Sequence, residues 1–252
     1  ILNVKTPGEA HGVDFLFVCL KYTQLRSSLP DIEAIADKHT TVISLLNGVD
    51  SEEIIGQRIG MEHMIYSLIR IASHRIGNSI HFSLPKGYNG IYIGIPNQPA
   101  CQDPRLAAIA EIFADTPVTL HLSDDILLDM WDKFGLNVSR NLPQAILGVG
   151  IGVYDDSIYA DAIMRRMRHE VVLVANAKGI PLTDEFKAAK WLPSQRYSTL
   201  QDLDAHRHTE IDMFSGALIR MGKEVGVECP YNEMTYNLIK ALEEKNDGKF
   251  DY

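Results

Sequence analysis

Residues Val13–Leu20 (VDFLFVCL) and Thr41–Leu46 (TVISLL) are unbroken apolar runs rich in β-branched and aromatic residues. A strand with one wet face alternates apolar and polar positions, so an unbroken run marks a strand buried on both faces. Burial on both faces requires helices on both sides of a sheet, and this constrains the first half of the chain to an α/β layer structure. The segments between the runs agree. A helical stretch follows the first run, interrupted near Pro30 and resumed over Asp31–Lys38. After the Asn47–Gly48 turn, Ser51-Glu52-Glu53 reads as a helix start with acids in its first turn. Met64–Ile71 predicts a third strand. Ser79–Ser83 and Gly90–Ile95 predict a hairpin across a turn with Pro85, Gly87 and Asn89. Pro104–Phe113 predicts a helix and Val118–Leu122 a short last strand. The expected architecture for residues 1–122 is a mostly parallel, doubly wound sheet.

From Ser123 the strand pattern stops, and an all-helical domain is expected over 123–252. Helices are predicted over Asp124–Leu147, Ser157–Lys178, Asp184–Lys190, Thr199–Glu224 and Asn232–Glu244. Their punctuation is a Ser123 or Asp124 cap, Gly179-Ile180-Pro181 after a basic last turn, a Thr183 cap, and a break over Gly226–Pro230. Gly148-Val149-Gly150-Ile151-Gly152 is the most Gly-dense stretch. It follows a helix and has Val153 where a third motif glycine belongs, so it reads as a helix–helix break. No strand is followed by a GxGxxG turn, the phosphate-binding signature of dinucleotide domains. The first strand of this chain is therefore expected not to be the first strand of the fold. Without the preceding strand and helix, apolar edges are exposed, which favours aggregation or burial in a homo-oligomer.

The formal net charge of −9 argues against a nucleic-acid binder, which needs a surplus of Lys and Arg. No run approaches the ~18 apolar residues of a membrane helix, so no membrane partner is expected. Three scattered cysteines with no CxxC pair fit buried free thiols in a reducing cytoplasm. None of the nine histidines shows metal-ligand spacing, so no metal is expected.

The segment Trp131-Asp132-Lys133-Phe134-Gly135-Leu136-Asn137-Val138-Ser139-Arg140-Asn141 carries the clearest chemistry. On a helix, spacings of four place Lys133, Asn137 and Asn141 along one slowly drifting stripe. Asn is a poor helix former, so two on one stripe call for a reason. A 2-keto acid supplies one: its carbonyl needs a cation or proton donor where negative charge develops, and its other oxygens need neutral hydrogen-bonding groups. A solvated helix face is the alternative. Glu210 lies in Arg207-His208-Thr209-Glu210-Ile211-Asp212, read as part of an amphipathic helix, where a surface ion-pair cluster is the plain alternative. Ser198 reads alone as a turn or cap. Lys21 and Asn47 each follow a buried strand, at the sheet edge where open α/β folds bind ligands.

Together these segments resemble the ketopantoate reductase family. VDFLFVCLKYTQL is similar to its strand ending in Lys, Asn47-Gly48-Val49 to its NG turn, and WDKFGLNVSRN to its K-x3-N-x3-N helix. STLQDLDAHRHTEID is similar to its Ser-to-Glu segment and GVECPYN to its closing helix break. The resemblance implies a Rossmann-like domain, incomplete at its start, followed by the helical domain. It implies NADPH as cofactor and a small 2-keto acid as substrate, 2-dehydropantoate being reduced to (R)-pantoate. Lys133 would be the general acid and Glu210 would orient substrate and cofactor. Asn47, Asn137, Asn141 and Ser198 would hold the substrate, while Lys21, Asn47, Ser73 and Glu210 would contact the cofactor. The family often places a further Asn after Asn141, and Leu147–Gly152 offers none, so another keto acid stays open as the substrate. A non-catalytic protein of the same fold that binds a small acid or a partner chain also stays open.

Overall fold

The computed structural model describes residues 3–76, 79–83, 89–186, 192–250 and 252; of residues 72–76, 80 and 83 it describes the backbone alone. The chain divides into two compact units, Ile1–Met130 and Trp131–Tyr252.

The first unit holds β1 (Phe15–Val18), α1 (Tyr22–Ile35), β2 (Thr41–Ser44), α2 (Ser51–Ile59), β3 (Met64–Arg70), β4 (Ala72–Ile76), β5 (Ser79–Ser83), β6 (Gly90–Gly94), α3 (Pro104–Phe113) and β7 (Leu120–Leu122). Five strands form one sheet in the order β1-β2-β3-β6-β7. β1, β2 and β3 are parallel, β6 runs antiparallel to β3, and β7 parallel to β6. Successive side chains of a strand face opposite ways, and the core divides accordingly. Val42 and Met64 pack under α1 and α2 with Leu25, Ile32 and Ile55. Their neighbours Ile43 and Ile65 pack on the other face with Ile91, Ile93, Leu106 and Ile109. The apolar runs are thus strands covered on both sides.

Two expectations here need correction. Gly90–Gly94 does not form a hairpin with Ser79–Ser83. It pairs with Tyr66–Arg70, and Ser79–Ser83 pairs with Ala72–Ile76 in a separate two-stranded sheet. Pro85 and Gly87 of the expected turn lie outside the described residues. Nor does Pro30 interrupt α1. Pro30 is exposed, so water can satisfy the Arg26 carbonyl that loses its donor.

Helix α4 (Ile126–Leu136) begins in the first unit and continues into the second. There follow a π-helical turn over Asn137–Asn141, α5 (Leu142–Leu147), α6 (Val153–Asp156), α7 (Ile158–Ala177), α8 (Ser198–Asp204), α9 (Ser215–Val225) and α10 (Pro230–Asn246). The second unit has no strand among its described residues. α7 is its central helix, with Met164, Met167, Val171, Val174 and Ala175 buried. It packs against the π turn, α6, α9 and α10. Its start is capped by Ser157, which accepts from the Ala160 N–H at 3.3 Å. α5 ends at Gly148 with φ 69°, a left-handed conformation that glycine adopts without penalty. The Gly148–Gly152 break is therefore a helix end, with the unanticipated short helix α6 after it. No helix over Asp184–Lys190 begins as predicted: Asp184, Glu185 and Phe186 are non-helical, and residues 187–190 lie outside the description.

Candidate active site

Lys133, Asn137 and Asn141 lie on one uninterrupted helical stretch that changes character partway along. Pro143 has no N–H to donate, and its ring would collide with the Ser139 carbonyl four residues back. The backbone widens into a π turn over Asn137–Asn141, a distortion that recurs at functional sites. An α spacing of four over-rotates by about 40°. A π turn has more residues per turn and rotates back, so it removes the drift and straightens the stripe. Ser139 lies off the stripe and donates its hydroxyl to the Gly135 carbonyl at 2.7 Å.

The stripe is not a solvated face. Lys133 and Asn137 are half-buried, and Asn141 is only 3% exposed. Asn141 Oδ1 is buried without a hydrogen-bond partner among the described residues. Buried polar atoms are almost always paired, so an orphaned carboxamide oxygen marks a place suited to a ligand donor such as a hydroxyl.

The flank of this helix is fixed by a buried ion pair. Arg168 of α7 is 1% exposed. It donates to Asp132 Oδ1 at 3.2 Å, to the Asp132 carbonyl at 3.3 Å and to the Thr183 carbonyl at 2.9 Å. Burial alone would lower the pKa of its guanidinium, and Asp132 opposes that shift. Gly135 makes the pair possible: a Cβ there would stand 2.1 Å from Arg168 Nη1. Thus Asp132, next to Lys133 in sequence, cannot swing freely.

Ser198 is exposed at the first position of α8. α8 packs on α5 and on the π turn, which brings the Ser198 and Asn141 elements together. The segment entering α8 is held by Gln144, fully buried. Its Nε2 donates to the Gln195 carbonyl and its Oε1 accepts from the Tyr197 N–H, both at 2.8 Å.

Glu210 is not on a helix, contrary to the sequence reading. The predicted Thr199–Glu224 helix is two helices, α8 and α9, separated by residues 205–214. His206 has φ 52° and breaks the helical path. The loop is tied from both sides. Arg207 Nε donates to Asp202 of α8 at 2.9 Å. Tyr236 of α10 donates its hydroxyl to Asp212 at 2.7 Å. Glu243 of α10, 2% exposed, accepts from the N–H and the hydroxyl of Thr209. Glu210 itself is half-buried, and its carbonyl accepts from the N–H groups of Met213 and Phe214 ahead of α9.

In the first unit, Val18 pairs with Ser44 in the parallel register of β1 and β2. Lys21 and Asn47 each lie three residues beyond that pair, so both stand at the carboxyl edge of adjacent strands. This is the edge where open α/β sheets take ligands. The placement fits the nicotinamide end of a dinucleotide. No described residue forms a Gly-rich loop for its phosphates. Ser73 lies on β4, opposite Phe82, and its side chain is outside the described residues.

Gln144, Glu243, Asp132 and Arg168 went unnoticed in the sequence because each acts on a partner more than 30 residues away. Cys19 and Cys101 are exposed, against the expectation of buried thiols, and Cys229 is buried. Among the described residues no three His, Cys, Asp or Glu side chains cluster as a metal site. No described helix is long and apolar enough to cross a membrane.

Comparison with known proteins agrees in both halves. A family model described as ketopantoate reductase PanE/ApbA matches residues 2–98. One described as ketopantoate reductase PanE/ApbA C terminal matches residues 125–243. A 2-dehydropantoate 2-reductase of Streptococcus pyogenes serotype M3 is 28% identical over 255 residues, covering 96% of this chain and 80% of that protein. The crystal structure of a PanE/ApbA family ketopantoate reductase from Ralstonia eutropha JMP134 is similar with a TM-score of 0.81 and 25% identity, over 96% of this chain and 79% of that one. A D-mandelate dehydrogenase, solved with NADH and anilino(oxo)acetate, is similar with a TM-score of 0.80 and 25% identity, over 93% of this chain and 77% of that one. The second matched span contains the Lys133–Asn141 ridge, Ser198 and the Thr209–Glu210 loop, the first contains Lys21 and Asn47, and the chain belongs to the ketopantoate reductase family.

Proposed function

We propose that this chain reduces 2-dehydropantoate to (R)-pantoate with NADPH, the reduction step that leads to pantothenate and coenzyme A. The observation that carries the reading is the ridge of one amine and two carboxamides, ending in a buried carboxamide oxygen that lacks a partner among the described residues. The dihydronicotinamide supplies the hydride when bound. Lys133 donates a hydrogen bond to the substrate carbonyl oxygen and passes its proton there as the alkoxide charge develops. Asn141 accepts from a substrate hydroxyl, and Asn137 and Ser198 hold the remaining oxygens. Glu210 orients substrate and ribose. Lys21 and Asn47 contact the nicotinamide side, with Ser73 a further contact.

A second reading is reduction of another 2-keto acid. It is favoured by the likeness to a D-mandelate dehydrogenase, whose own complex contains NADH. One assay separates the readings: loss of NADPH or NADH absorbance with 2-dehydropantoate and with a panel of aromatic and branched 2-keto acids. Turnover of 2-dehydropantoate at least ~10-fold more efficient than of the others supports the first reading, since one well-placed substrate hydroxyl discriminates by that much or more. Preference for an aromatic keto acid moves the assignment to the second. No oxidation with any of them ends both. Retention of most activity by Lys133→Ala would remove Lys133 from its role.

A further inference from the structure

Glu52 is the one carboxylic acid in the core of the first unit among the described residues, at 1% exposure. The parallel ladder between β2 and β3 ends at Ile43 and Ile65. Beyond it the strands are joined through side chains. Ser67 donates its hydroxyl to the Ser44 carbonyl and its N–H to Glu52 Oε1, the latter at 3.3 Å. Ser51 donates to Glu52 Oε2 at 2.8 Å. Ser44 and Ser51 are bonded at 2.8 Å, Ser44 donating when Glu52 is ionised and Ser51 donating when a protonated Glu52 gives its Oε2 proton to Ser51. The Ser44–Ser51 bond closes the base of residues 45–50, and Asn47 sits within that loop.

We propose that Glu52 is the positioning residue of the Asn47 loop, holding Ser51 against Ser44 across the loop's base and tying that base to Ser67 of β3. The functional weight of this role rests on the reading of Asn47 as a nicotinamide-side contact. Burial pushes the Glu52 carboxyl up to about 7, with Asp50 adding to the rise. The other titratable groups on packed elements do not offset it. Tyr22 of α1 donates to Asp50 at 2.7 Å, His63 after α2 bonds the Thr40 carbonyl at 2.8 Å, and Glu33 of α1 pairs with Arg58 at the far end of α2. Tyr66 of β3 and Glu53 are near as well. No cationic side chain among the described residues pairs with Glu52. An ionised Glu52 still accepts from the Ser51 hydroxyl and the Ser67 N–H, so the tie across the loop base holds in either protonation state.

The test is hydrogen exchange of the whole protein, read on peptides spanning residues 45–50, with nucleotide affinity measured alongside. Glu52→Ala and Ser51→Ala should each speed exchange in that loop about tenfold, the loss of one strong hydrogen bond. Exchange in β1 and α3 should stay unchanged, and nucleotide affinity should fall without a matching fall in kcat. Glu52→Gln keeps a donor for Ser51 and an acceptor for the Ser67 N–H. It should restore both readouts. The proposal is overturned if loop exchange is unmoved by both alanine variants, or if the whole unit loosens together. If the wild type binds no nicotinamide nucleotide, the functional reading fails, and the exchange result still decides the positioning role.

Discussion

Glu243 Oε1 accepts two hydrogen bonds from Thr209, one from its backbone N–H and one from its hydroxyl, each 2.7 Å. The Thr209 hydroxyl oxygen in turn accepts from the Ile211 N–H at 3.2 Å. Glu210 is thereby bracketed: the residues on either side are anchored through one buried carboxylate, itself 2.8 Å from Lys240. Thr209→Val preserves shape and loses the hydroxyl, leaving part of a buried carboxylate unsatisfied at a cost of about 1–3 kcal/mol. If Glu210 works from this position, kcat should fall at least ~10-fold, in line with a misplaced catalytic group. Nucleotide affinity should weaken as well, since Glu210 orients the ribose, and Thr209→Ser should recover both. Equal loss in the Val and Ser variants would show that packing, not the hydroxyl, is what matters.

Asn141 offers a sharper separation of stability from function. Its Oδ1 is buried and unpaired among the described residues. Replacing a poorly satisfied polar group by an apolar one of similar shape is nearly neutral or stabilising. Asn141→Leu should leave the urea midpoint unchanged or raise it. Activity should drop by about 10²-fold, because an apolar side chain cannot accept from a substrate hydroxyl. A variant that is both less stable and fully active would place Asn141 in the structural core instead.

The buried Asp132–Arg168 pair predicts an opposite pattern. Removing one partner strands the other charge in the interior, at about 3–5 kcal/mol. Arg168→Ala should therefore unfold at markedly lower urea. Gly135→Ala should do nearly as much without touching either charge, since its Cβ would occupy the space of Arg168 Nη1. The two losses should not add in the double variant, because both act on one interaction. Additive losses would separate Gly135 from the ion pair.

What was legible in the sequence was whatever a local pattern enforces. Val13–Leu20 and Thr41–Leu46 announce strands because two buried faces leave no polar alternation. Pro104–Phe113 and Ser157–Lys178 read as helices from local pattern, and the caps that start them, Asp103 and Ser157, act within a few residues. The Lys133–Asn137–Asn141 spacing showed the ridge, though not the π turn that straightens it. Errors came where distant contacts overrule local preference. Residues 205–214 carry enough helix formers to read as helix, yet Asp202, Tyr236 and Glu243 hold them in a loop. Gly90–Gly94 was matched to its near neighbour in sequence, while the sheet matched it to β3. Glu52 gave no signal at all, because an acid in a helix's first turn is ordinarily solvated.

That buried acid yields the last prediction, on stability and pH. In the unfolded chain Glu52 titrates near 4.5, and in the fold near 7. The folded state therefore holds the extra proton between those values, so stability falls as pH rises through that window. Below about 4.5 both states are protonated and the group is neutral in its effect; above about 7 the full penalty applies. A shift of this size corresponds to about 3 kcal/mol, to order of magnitude. Glu52→Gln cannot ionise and should escape the penalty. It should match the wild type near pH 5 and exceed it near pH 8 by about 2–3 kcal/mol in urea denaturation. A variant no more stable than wild type near pH 8 would mean that the carboxylate is accommodated in the fold. A gain confined to the higher pH would show that the fold carries an acid costlier than its amide.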